Sequence, residues 1–518
     1  MKQGFVRKLV ENSRKWDRLG LFHLTNVNRK GFYREASSYL LENIRNVNKI
    51  GGRLNKVERY IGTDIRKEVA YDDNAANETE SNMLKVLRMF PEYEAGINFE
   101  QKSSFTGAAE RFREIFNILN ALHPQQGAEL DALMFVAFRQ ALILSEQCED
   151  YMGAINVLQS QVDPYISHAD ENHLSKQKLS YAIRKYQLES ACFLKHGDIS
   201  KAALSASKSL ALCESDIYGG SDTMGSSHAD IAVFAISYSH MGISSLMDPS
   251  EDLSLTLESS EQFLQQSVRW AQGPLHHLQA MTNLGSFHWV KYQLERQDKA
   301  AGDHPSLIEA IAYWEEAMQD AVKDANSVTN SAAAMCGPGS EPINIGTETA
   351  TNESDLKSQS LEDNLKNEEY QVAYANLLCN LAQAYSEMGT QSSKQRRSDV
   401  LSSALKTVES NKTKSGQKAL ARALTQVSEA YIASEQAVSA EGLLRSATTY
   451  LSTVKDCRFV YQRAQTMRAY GSLLCQWEKR ETEGERLLGD ADKLLLTLPC
   501  RHIGNKTVHL TPFFEVML

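Results

Sequence analysis

The sequence predicts an all-α protein, built as a superhelical array of antiparallel helix pairs. Three observations lead to this fold class. Only 10 of the 518 residues are proline, which favours long uninterrupted helices. Small residues recur at fixed distances from large apolar ones, and the same spacing returns several times along the chain. The hydrophobic share of 42% is ordinary for a soluble protein with a large core, so the chain can bury such an array.

The clearest helix pair lies between Leu424 and Ala447. Counted from Leu424, its marker residues are Ser428 at +4, Tyr431 at +7, Ala440 at +16, Leu444 at +20 and Ala447 at +23. Offsets of 4 and 7 fall on one helical face, and the jump to +16 leaves room for a short turn. Small residues let two backbones approach closely while large ones fill the remaining space, so this stretch predicts two antiparallel helices.

The same pattern returns upstream without a gap. Its members are Tyr186, Ser190, Phe193, Ala202, Ala206 and Ser209, with a turn at Gly197. Further along, Leu378, Ala382 and Tyr385 repeat the first half of the pattern, and their helix is expected to end at Gly389. The second half of that unit follows after several extra residues, around Ala404.

Two further units share a longer spacing, in which the second set of markers begins 29 rather than 16 residues after the first. Their members are Ile231, Ala235, Tyr238, Ser260, Leu264 and Ser267 in one unit, and Met281, Gly285, His288, Ala310, Trp314 and Ala317 in the other. Each insertion carries a proline in a polar run, Pro249 or Pro305. We interpret both units as longer helices joined by a looser turn.

Weaker units flank these, beginning at Thr106, at Tyr151 and at Arg468. Together they predict about eight helix pairs between Asn77 and Pro499, at a period of roughly 43–50 residues. Because each pair adds a small rotation, such an array curves into a superhelix whose inner helices line an extended groove.

Four stretches carry a resemblance to a known family. They are "NLGSFHW" at 283–289, "EAIAYWEEAM" at 309–318, "NLAQAYSEMG" at 380–389 and "GDISKA" at 197–202. Their spacing resembles the tetratricopeptide (TPR) repeat family, specifically its longer-helix variants. The repeats here are longer than the usual ~34 residues, and the proline often found after the second helix is mostly missing. The resemblance implies a TPR-like α-solenoid.

The chain divides into five predicted segments. These are a basic segment over 1–70, N-terminal repeats over 77–326, a low-complexity loop over 327–367, C-terminal repeats over 368–499 and an apolar tail over 500–518. The loop is rich in Ser, Thr, Asn, Gly and acids, so we expect it to be disordered or loosely held. The tail is expected to pack against the last repeat, or alternatively to insert into a partner as an extended peptide.

The amino-terminal segment differs from the rest in charge. Residues 1–70 hold 16 Lys and Arg against 7 Asp and Glu, a net +9; since the whole chain carries -10, residues 71–518 carry -19. Phe5, Leu9 and Trp16 can share one helical face in an Arg-rich, acid-poor start. This pattern is typical of a mitochondrial presequence; the alternative is a basic arm that docks on an acidic surface or packs on the fold, in a cytoplasmic protein.

The sequence shows no catalytic, cofactor-binding or metal-binding constellation. It lacks the phosphate-loop, zinc-protease and nucleophile-elbow motifs. His276 and His277 are adjacent, so their side chains diverge on a helix, and His288 occupies the aromatic position of its repeat, which favours core packing. The eight cysteines show no C-x2-C spacing and are expected to be free thiols. We therefore predict that the protein is not an enzyme.

Three function classes follow from this pattern. The first is a scaffold or adaptor that binds a peptide or helix of a protein partner in the concave groove; if imported, it would be a mitochondrial assembly factor or a peripheral complex subunit. The second is a regulatory sensor switched through the 327–367 loop. The third, an RNA-binding repeat protein, is disfavoured by the acidic body. No stretch is long enough to span a membrane, and the oligomeric state stays open.

Overall fold

A computed structural model describes residues 82–124, 126–166, 176–218, 228–248, 253–296, 304–335, 353–503, 506–508 and 513–517. All of them fall within one compact unit, Ala75–Leu518. The predicted basic segment over 1–70, with its presequence, lies outside the described residues.

Besides a helical stretch over 82–88, seventeen helices lie in the part of the chain that the structure describes. They are α1 Pro91–Gln101, α2 Phe105–Ala121, α3 Ala128–Leu142, α4 Tyr151–Val157, α5 Asp163–Ile166, α6 Lys176–His196, α7 Ile199–Tyr218, α8 His228–Met247, α9 Leu253–Trp270, α10 Pro274–Glu295, α11 Pro305–Met335, α12 Glu353–Met388, α13 Gln391–Val408, α14 Lys414–Ala433, α15 Ala437–Tyr450, α16 Cys457–Leu474 and α17 Glu481–Leu496. Two π-helical turns, Ile143–Gln147 and Leu158–Val162, follow α3 and α4.

The helices pack as consecutive pairs. The most extensive contacts lie within α1/α2, α6/α7, α8/α9, α10/α11, α12/α13, α14/α15 and α16/α17, while α3 packs on α4. The first helices of successive pairs also contact one another, from α6 through α8, α10, α12 and α14 to α16. The predicted fold class, a superhelical array of antiparallel helix pairs, is therefore confirmed.

Close helix–helix approach depends on the small residues that mark the repeats. The Ser190 hydroxyl donates to the carbonyl of Ala202 across the α6/α7 pair at 2.9 Å. In the next pair the Ser267 hydroxyl donates to the carbonyl of Ala235 at 2.8 Å. A side chain can reach the backbone of the partner helix in this way only where both helices carry small residues. The marker spacing in the sequence therefore reflects the positions at which the two helices of a pair touch.

The tightest such contact in the α10/α11 pair joins Gly285 to Trp314. A Cβ atom placed on Gly285 would lie 2.5 Å from both Cδ1 and Nε1 of the indole. Trp314 is fully buried, and its Nε1 donates to the carbonyl of Thr282 at 3.0 Å. The indole is therefore held in place and cannot make room for a methyl group.

We expect Gly285→Ala to lower the free energy of unfolding by about 1–3 kcal/mol, because it overpacks this contact. The matched control is Gly442→Ala on the exposed side of α15, where an added Cβ meets nothing within 4 Å. That change is expected to raise stability by about 0.5–1 kcal/mol, since alanine is the better helix former. Urea unfolding of both variants measures the change in the free energy of unfolding. If the two substitutions change it in the same direction, the packing argument is contradicted.

Glycine ends two of the helices where the sequence predicts it. Gly197 follows α6 with φ of 90°, and Gly389 follows α12 with φ of 65°. In the first case the N–H groups of Gly197 and Asp198 both bond to the carbonyl of Phe193. A left-handed residue at this position favours glycine, which has no Cβ to clash.

The predicted loop over 327–367 needs correction at both ends. Helix α11 continues to Met335, and α12 begins at Glu353. Residues 336–352, between them, lie outside the described part. The polar composition of this segment suggested a loop, but its ends also contain runs of Ala, Leu, Glu and Lys, which are good helix formers. One core cluster holds Trp314 of α11 together with Leu378 of α12, so packing continues across the segment.

The last helix pairs fold back onto early ones. Lys418 of α14 forms a buried ion pair with Glu149, with Nζ and Oε1 2.5 Å apart. The same carboxylate accepts a hydrogen bond from the backbone N–H of Lys455 at 2.6 Å. The Cys457 thiol, at the start of α16, donates to the carbonyl of Leu194 in α6. The helices α14 and α16 of the late pairs therefore contact the early part of the array directly.

The apolar tail does not form a repeat. Its first part pairs two short antiparallel strands, β1 Arg501–Ile503 and β2 Lys506–Val508, which the sequence analysis did not predict. Residues 513–517, called the tail segment below, return to the inner helices of the array. The sequence placed the tail on the last repeat, whereas these five residues contact α8, α10 and α12 as well as α16. None of the described helices combines the length and apolar character needed to cross a bilayer.

Candidate functional site

The inner surface of the array holds the tail segment, in which residues 514–517 form no regular secondary structure. We use "inner surface" for six polar residues on the first helices of five successive pairs, namely His240 on α8, Asn283 and Ser286 on α10, Asn380 on α12, Arg422 on α14 and Arg458 on α16. All but Arg458 are buried to 6% exposure or less as whole residues. Because buried polar groups need hydrogen-bond partners, their arrangement defines what this surface can bind.

Asn283 clamps the backbone of Glu515. Its Oδ1 accepts from the Glu515 N–H at 2.6 Å, and its Nδ2 donates to the Glu515 carbonyl at 2.8 Å. The same Nδ2 donates to the Ser239 hydroxyl at 2.9 Å, which fixes the amide in one orientation. A side-chain amide that pairs with both backbone groups of one residue recognises an extended chain whatever its side chain.

Other inner-surface residues hold the remaining carbonyls of the tail segment. The Phe513 carbonyl accepts from Ser286 Oγ at 2.5 Å and from Asn380 Nδ2 at 3.2 Å. The Phe514 carbonyl accepts from Arg458 at 3.2 Å. Arg422 donates to Asn380 Oδ1 at 2.5 Å, which leaves the amide nitrogen free to face the peptide. Backbone recognition is therefore spread over four of the helix pairs.

Phe513 lies in an aromatic and cationic site. Its ring centroid is 5.5 Å from that of Trp289, and the guanidinium carbon of Arg422 lies 5.9 Å from the Phe513 centroid. Trp289 packs in turn on Trp314, with centroids 6.2 Å apart. Offset aromatic contacts and an overlying guanidinium both favour an aromatic side chain at this position.

Three apolar side chains of the tail segment are buried. Phe514 and Val516 join the large core cluster that includes residues of α2 to α10. Met517 is fully buried against Ala235, Ile236 and the partly buried Trp270. Burial of Phe, Val and Met side chains stabilises the folded chain by about 1.5–3 kcal/mol each, so these side chains carry much of the segment's binding.

Glu515 is the only charged residue of the tail segment, and it faces arginines. Its carboxylate lies 4.0 Å from Arg458 and keeps 13% exposure. Burial raises the pKa of Glu515, while Arg458, Arg422 and a hydrogen bond from Asn376 act in the opposite direction. Arg458 is held by Asp456 through two guanidinium nitrogens, at 3.1 and 2.7 Å. The inner surface therefore presents a fixed positive charge to an acidic side chain.

The imidazole of His240 is neutral at physiological pH. Burial lowers its pKa to about 4, and only a hydrogen bond to Met517 works against this shift. Nε2 lies 2.9 Å from the Met517 carbonyl, which can only accept, so Nε2 carries the proton. The ring is thus a neutral donor to the last described carbonyl of the tail segment.

This lowered pKa predicts a pH dependence of stability. The unfolded chain protonates His240 below about 6.5, whereas the folded chain stays neutral down to about 4, so stability falls as the pH drops through this window. The loss is about 1.4 kcal/mol per pH unit. Between pH 6.5 and 5.0 we expect the wild type to lose about 2 kcal/mol more than His240→Gln, which does not titrate. Urea unfolding at both pH values, with the exposed His196→Gln as control, checks this; equal slopes for wild type and His240→Gln would contradict it.

The histidines singled out by the sequence take structural roles. Nδ1 of His276 is 3.2 Å from the Gln272 carbonyl, and Nε2 of His277 is 3.7 Å from Asp320. His288 is buried in the core and stacks on Tyr313 with centroids 5.1 Å apart, as its repeat position predicts. Within the described ranges, no cluster of three or more metal-ligating side chains occurs. None of the seven cysteines among the described residues forms a disulfide.

The sequence analysis missed the two asparagines that recognise the tail. Asn283 and Asn380 stand at the same place in their repeats, two residues after Met281 and Leu378 respectively. Each opens one of the quoted motifs, "NLGSFHW" and "NLAQAYSEMG". A polar amide on the otherwise apolar and small-residue face of a repeat was the available signal, because such a residue needs a partner when it is buried.

Comparisons with known proteins add little beyond the repeat architecture. No family model and no curated protein matches the chain. Among solved structures, a circular tandem repeat protein with novel repeat topology is 14% identical, over 81% of this chain and 95% of its own, with a TM-score of 0.21. The TPR domain of P58(IPK) is 9% identical, over 78% and 97%, with a TM-score of 0.15. The assignment of the chain as a helical repeat protein rests on its helix packing alone.

Proposed function

We propose that the protein is a non-enzymatic scaffold or adaptor that binds protein partners. The observation that carries this proposal is the inner surface, where side chains from successive helix pairs hold an extended segment by its backbone. A surface of this kind suits peptide recognition, since main-chain hydrogen bonds provide affinity and side-chain sites provide specificity. The lack of a catalytic motif in the sequence supports the non-enzymatic part.

The charge distribution supports a protein partner over a nucleic acid. Residues 71–518 carry a net -19, because the basic residues concentrate in 1–70. Binding to a phosphate backbone needs basic stripes and falls steeply with salt. The cationic groups of the inner surface are buried and engaged, Arg422 with Asn380 and Arg458 with Asp456. They therefore serve a short acidic peptide better than a polyanion.

Affinity capture with the full chain tests the proposal. We expect at least one protein at close to equimolar amount, resistant to nuclease treatment, and cross-linked to residues of the array. Retention that disappears with nuclease would favour RNA binding instead. Absence of any stoichiometric protein in repeated captures under gentle lysis would count against the scaffold function. The exposed substitution Asn117→Ala provides a bait of the same fold and charge as a control for reproducibility.

The proposal extends to a mitochondrial location, as an assembly factor or a peripheral subunit of a complex. Its support is the basic start of the sequence, in which Phe5, Leu9 and Trp16 can share one face if the segment is helical. A fusion of residues 1–45 to a fluorescent reporter tests it. Colocalisation with mitochondria is the expected result, and a diffuse cytosolic signal would remove this part while leaving the scaffold function in place.

A further inference from the structure

We propose that the inner surface is an exchangeable peptide site, and that the tail segment is its ligand in cis. The competing ligand in trans is an extended segment of a protein partner with the same chemistry, namely two adjacent aromatic residues, one carboxylate and then two aliphatic or thioether side chains. The inference rests on the proposed function, because the trans segment belongs to a protein partner. It names the class of peptide that this partner presents.

The first argument is that recognition of the tail segment does not depend on covalent connection to the array. Five hydrogen bonds join backbone groups of the segment to Asn283, Asn380, Arg458 and Ser286: four are donated to its carbonyls, and one is donated by the Glu515 N–H to Asn283. A sixth comes from His240. Any extended chain offers the same groups in the same order. A peptide supplied from outside can therefore make every one of these bonds.

The second argument is that the side-chain sites define a sequence pattern. The site of Phe513, beside Trp289 and Arg422, selects an aromatic ring. Glu515 places the only carboxylate of the segment near Arg458. Met517 fills an apolar site beside Ile236. A partner segment is selected by these three sites, while the backbone contacts provide affinity that any sequence shares.

The third argument is that the tail segment leaves three buried polar atoms beside it without hydrogen-bond partners. His240 Nδ1, Trp289 Nε1 and Asn376 Oδ1 are buried and find no hydrogen-bond partner among the described residues. All three residues lie beside the segment, and a small cavity next to Glu515 is lined by Asn376, Arg422, Arg458, Phe459 and Gln462. A buried polar group without a partner is unfavourable by about 1–3 kcal/mol. A ligand that supplies these partners has an advantage over the tail.

The fourth argument concerns the competition. A segment tethered to its own site has an effective concentration on the order of millimolar, so it blocks weak ligands and yields only to a better one. Phe513 and Glu515 are only partly buried, which leaves the segment accessible at two of its five residues. The tail segment therefore excludes weakly binding peptides, and only a peptide that binds better than the tethered tail displaces it from the site.

A peptide-exchange experiment on the full chain tests this inference. The probe is a fluorescent peptide of sequence TPFFEVML, matching residues 511–518 and capped at both ends. It is titrated against the wild type, against a tail-weakened chain with Phe514→Ala and Met517→Ala, and against that chain with Asn283→Ala added. A scrambled peptide is the control ligand, and TPFFKVML tests the carboxylate.

We expect the tail-weakened chain to bind the probe at least about tenfold more tightly than the wild type, because the cis competitor is impaired. Adding Asn283→Ala should remove at least about tenfold of that affinity, and the scrambled and lysine-containing peptides should bind more weakly than the probe. Equal binding of the probe by wild type and tail-weakened chain, or equal binding of probe and scrambled peptide, would overturn the inference.

Hydrogen exchange of the wild type provides a second test, which does not require the tail-weakened chain to fold. We expect the amide of Glu515 to exchange at least about tenfold faster than amides in the middle of α10, through local release of the segment. Exchange of both at the same slow rate would show a permanently fixed tail and overturn the inference.

Failed peptide exchange with successful partner capture removes only this inference. Peptide exchange without any captured partner removes the proposed function instead.

Discussion

Replacing Asn283 by alanine is expected to lower the free energy of unfolding by about 3–5 kcal/mol and to release the tail segment. The amide makes three buried hydrogen bonds, two to the backbone of Glu515 and one to the Ser239 hydroxyl. Its removal leaves the Glu515 N–H and carbonyl without this partner inside the array. Each such group is unfavourable by about 1–3 kcal/mol, which sets the expected size.

Two measurements check this result. Urea unfolding gives the stability difference, and limited proteolysis followed by mass spectrometry reports whether cleavage around residues 509–517 accelerates. The matched control is Asn117→Ala on the exposed face of α2, where we expect a change within about 0.5 kcal/mol. If Asn283→Ala and Asn117→Ala lose the same stability and leave the tail equally protected, the amide does not hold the segment.

The repeat spacing was sufficient to predict the helix pairs because it records a physical contact. Ser428, Ala440, Leu444 and Ala447 are fully buried, as their offsets from Leu424 imply. A small residue is required wherever two helix backbones approach closely, and this requirement repeats with the pair. Local sequence therefore contains the information for pairing neighbouring helices.

The longer 29-residue spacing was interpreted as longer helices joined by a looser turn, and in one of its two units the described helices have ordinary lengths. Helix α8 has 20 residues and α9 has 18, against 21 for α6 and 20 for α7. The extra residues arise mainly because the markers lie further from the turn: they occupy 231–238 in α8, which ends at Met247, but 186–193 in α6, which ends at His196. Marker spacing measures where helices touch, and the contact can shift along a pair without lengthening either helix.

The repeat spacing did not predict the inner surface or the contacts between the late and early helices of the array. Asn283 meets a backbone 232 residues away, and Cys457 meets one 263 residues away. Contacts at this separation depend on the accumulated rotation of several helix pairs, which the spacing within one pair does not fix. The tail's apolar composition did indicate burial, but its site is a product of the superhelix as a whole.

The closure of the array provides the second large effect. We expect Lys418→Met to lower the free energy of unfolding by about 3–5 kcal/mol, because it leaves the carboxylate of Glu149 buried without its cation. The side chains of Lys418 and Glu149 are only 7% and 4% exposed, and their 2.5 Å contact joins α14 to the turn after α3. The Lys455 N–H still donates a hydrogen bond to that carboxylate, but it does not neutralise the charge.

A double-mutant cycle distinguishes the ion pair from simple packing. Adding Glu149→Gln to Lys418→Met removes the uncompensated charge while keeping an acceptor for Lys455, so the double variant should be more stable than Lys418→Met alone by about 2 kcal/mol. The surface control is Lys493→Met, whose partner Asp490 lies in an exposed pair on α17 and for which we expect at most about 0.5 kcal/mol. Urea unfolding of the four chains gives the coupling. Additive effects of the two substitutions would mean that the contact between α14 and the turn after α3 does not depend on this ion pair.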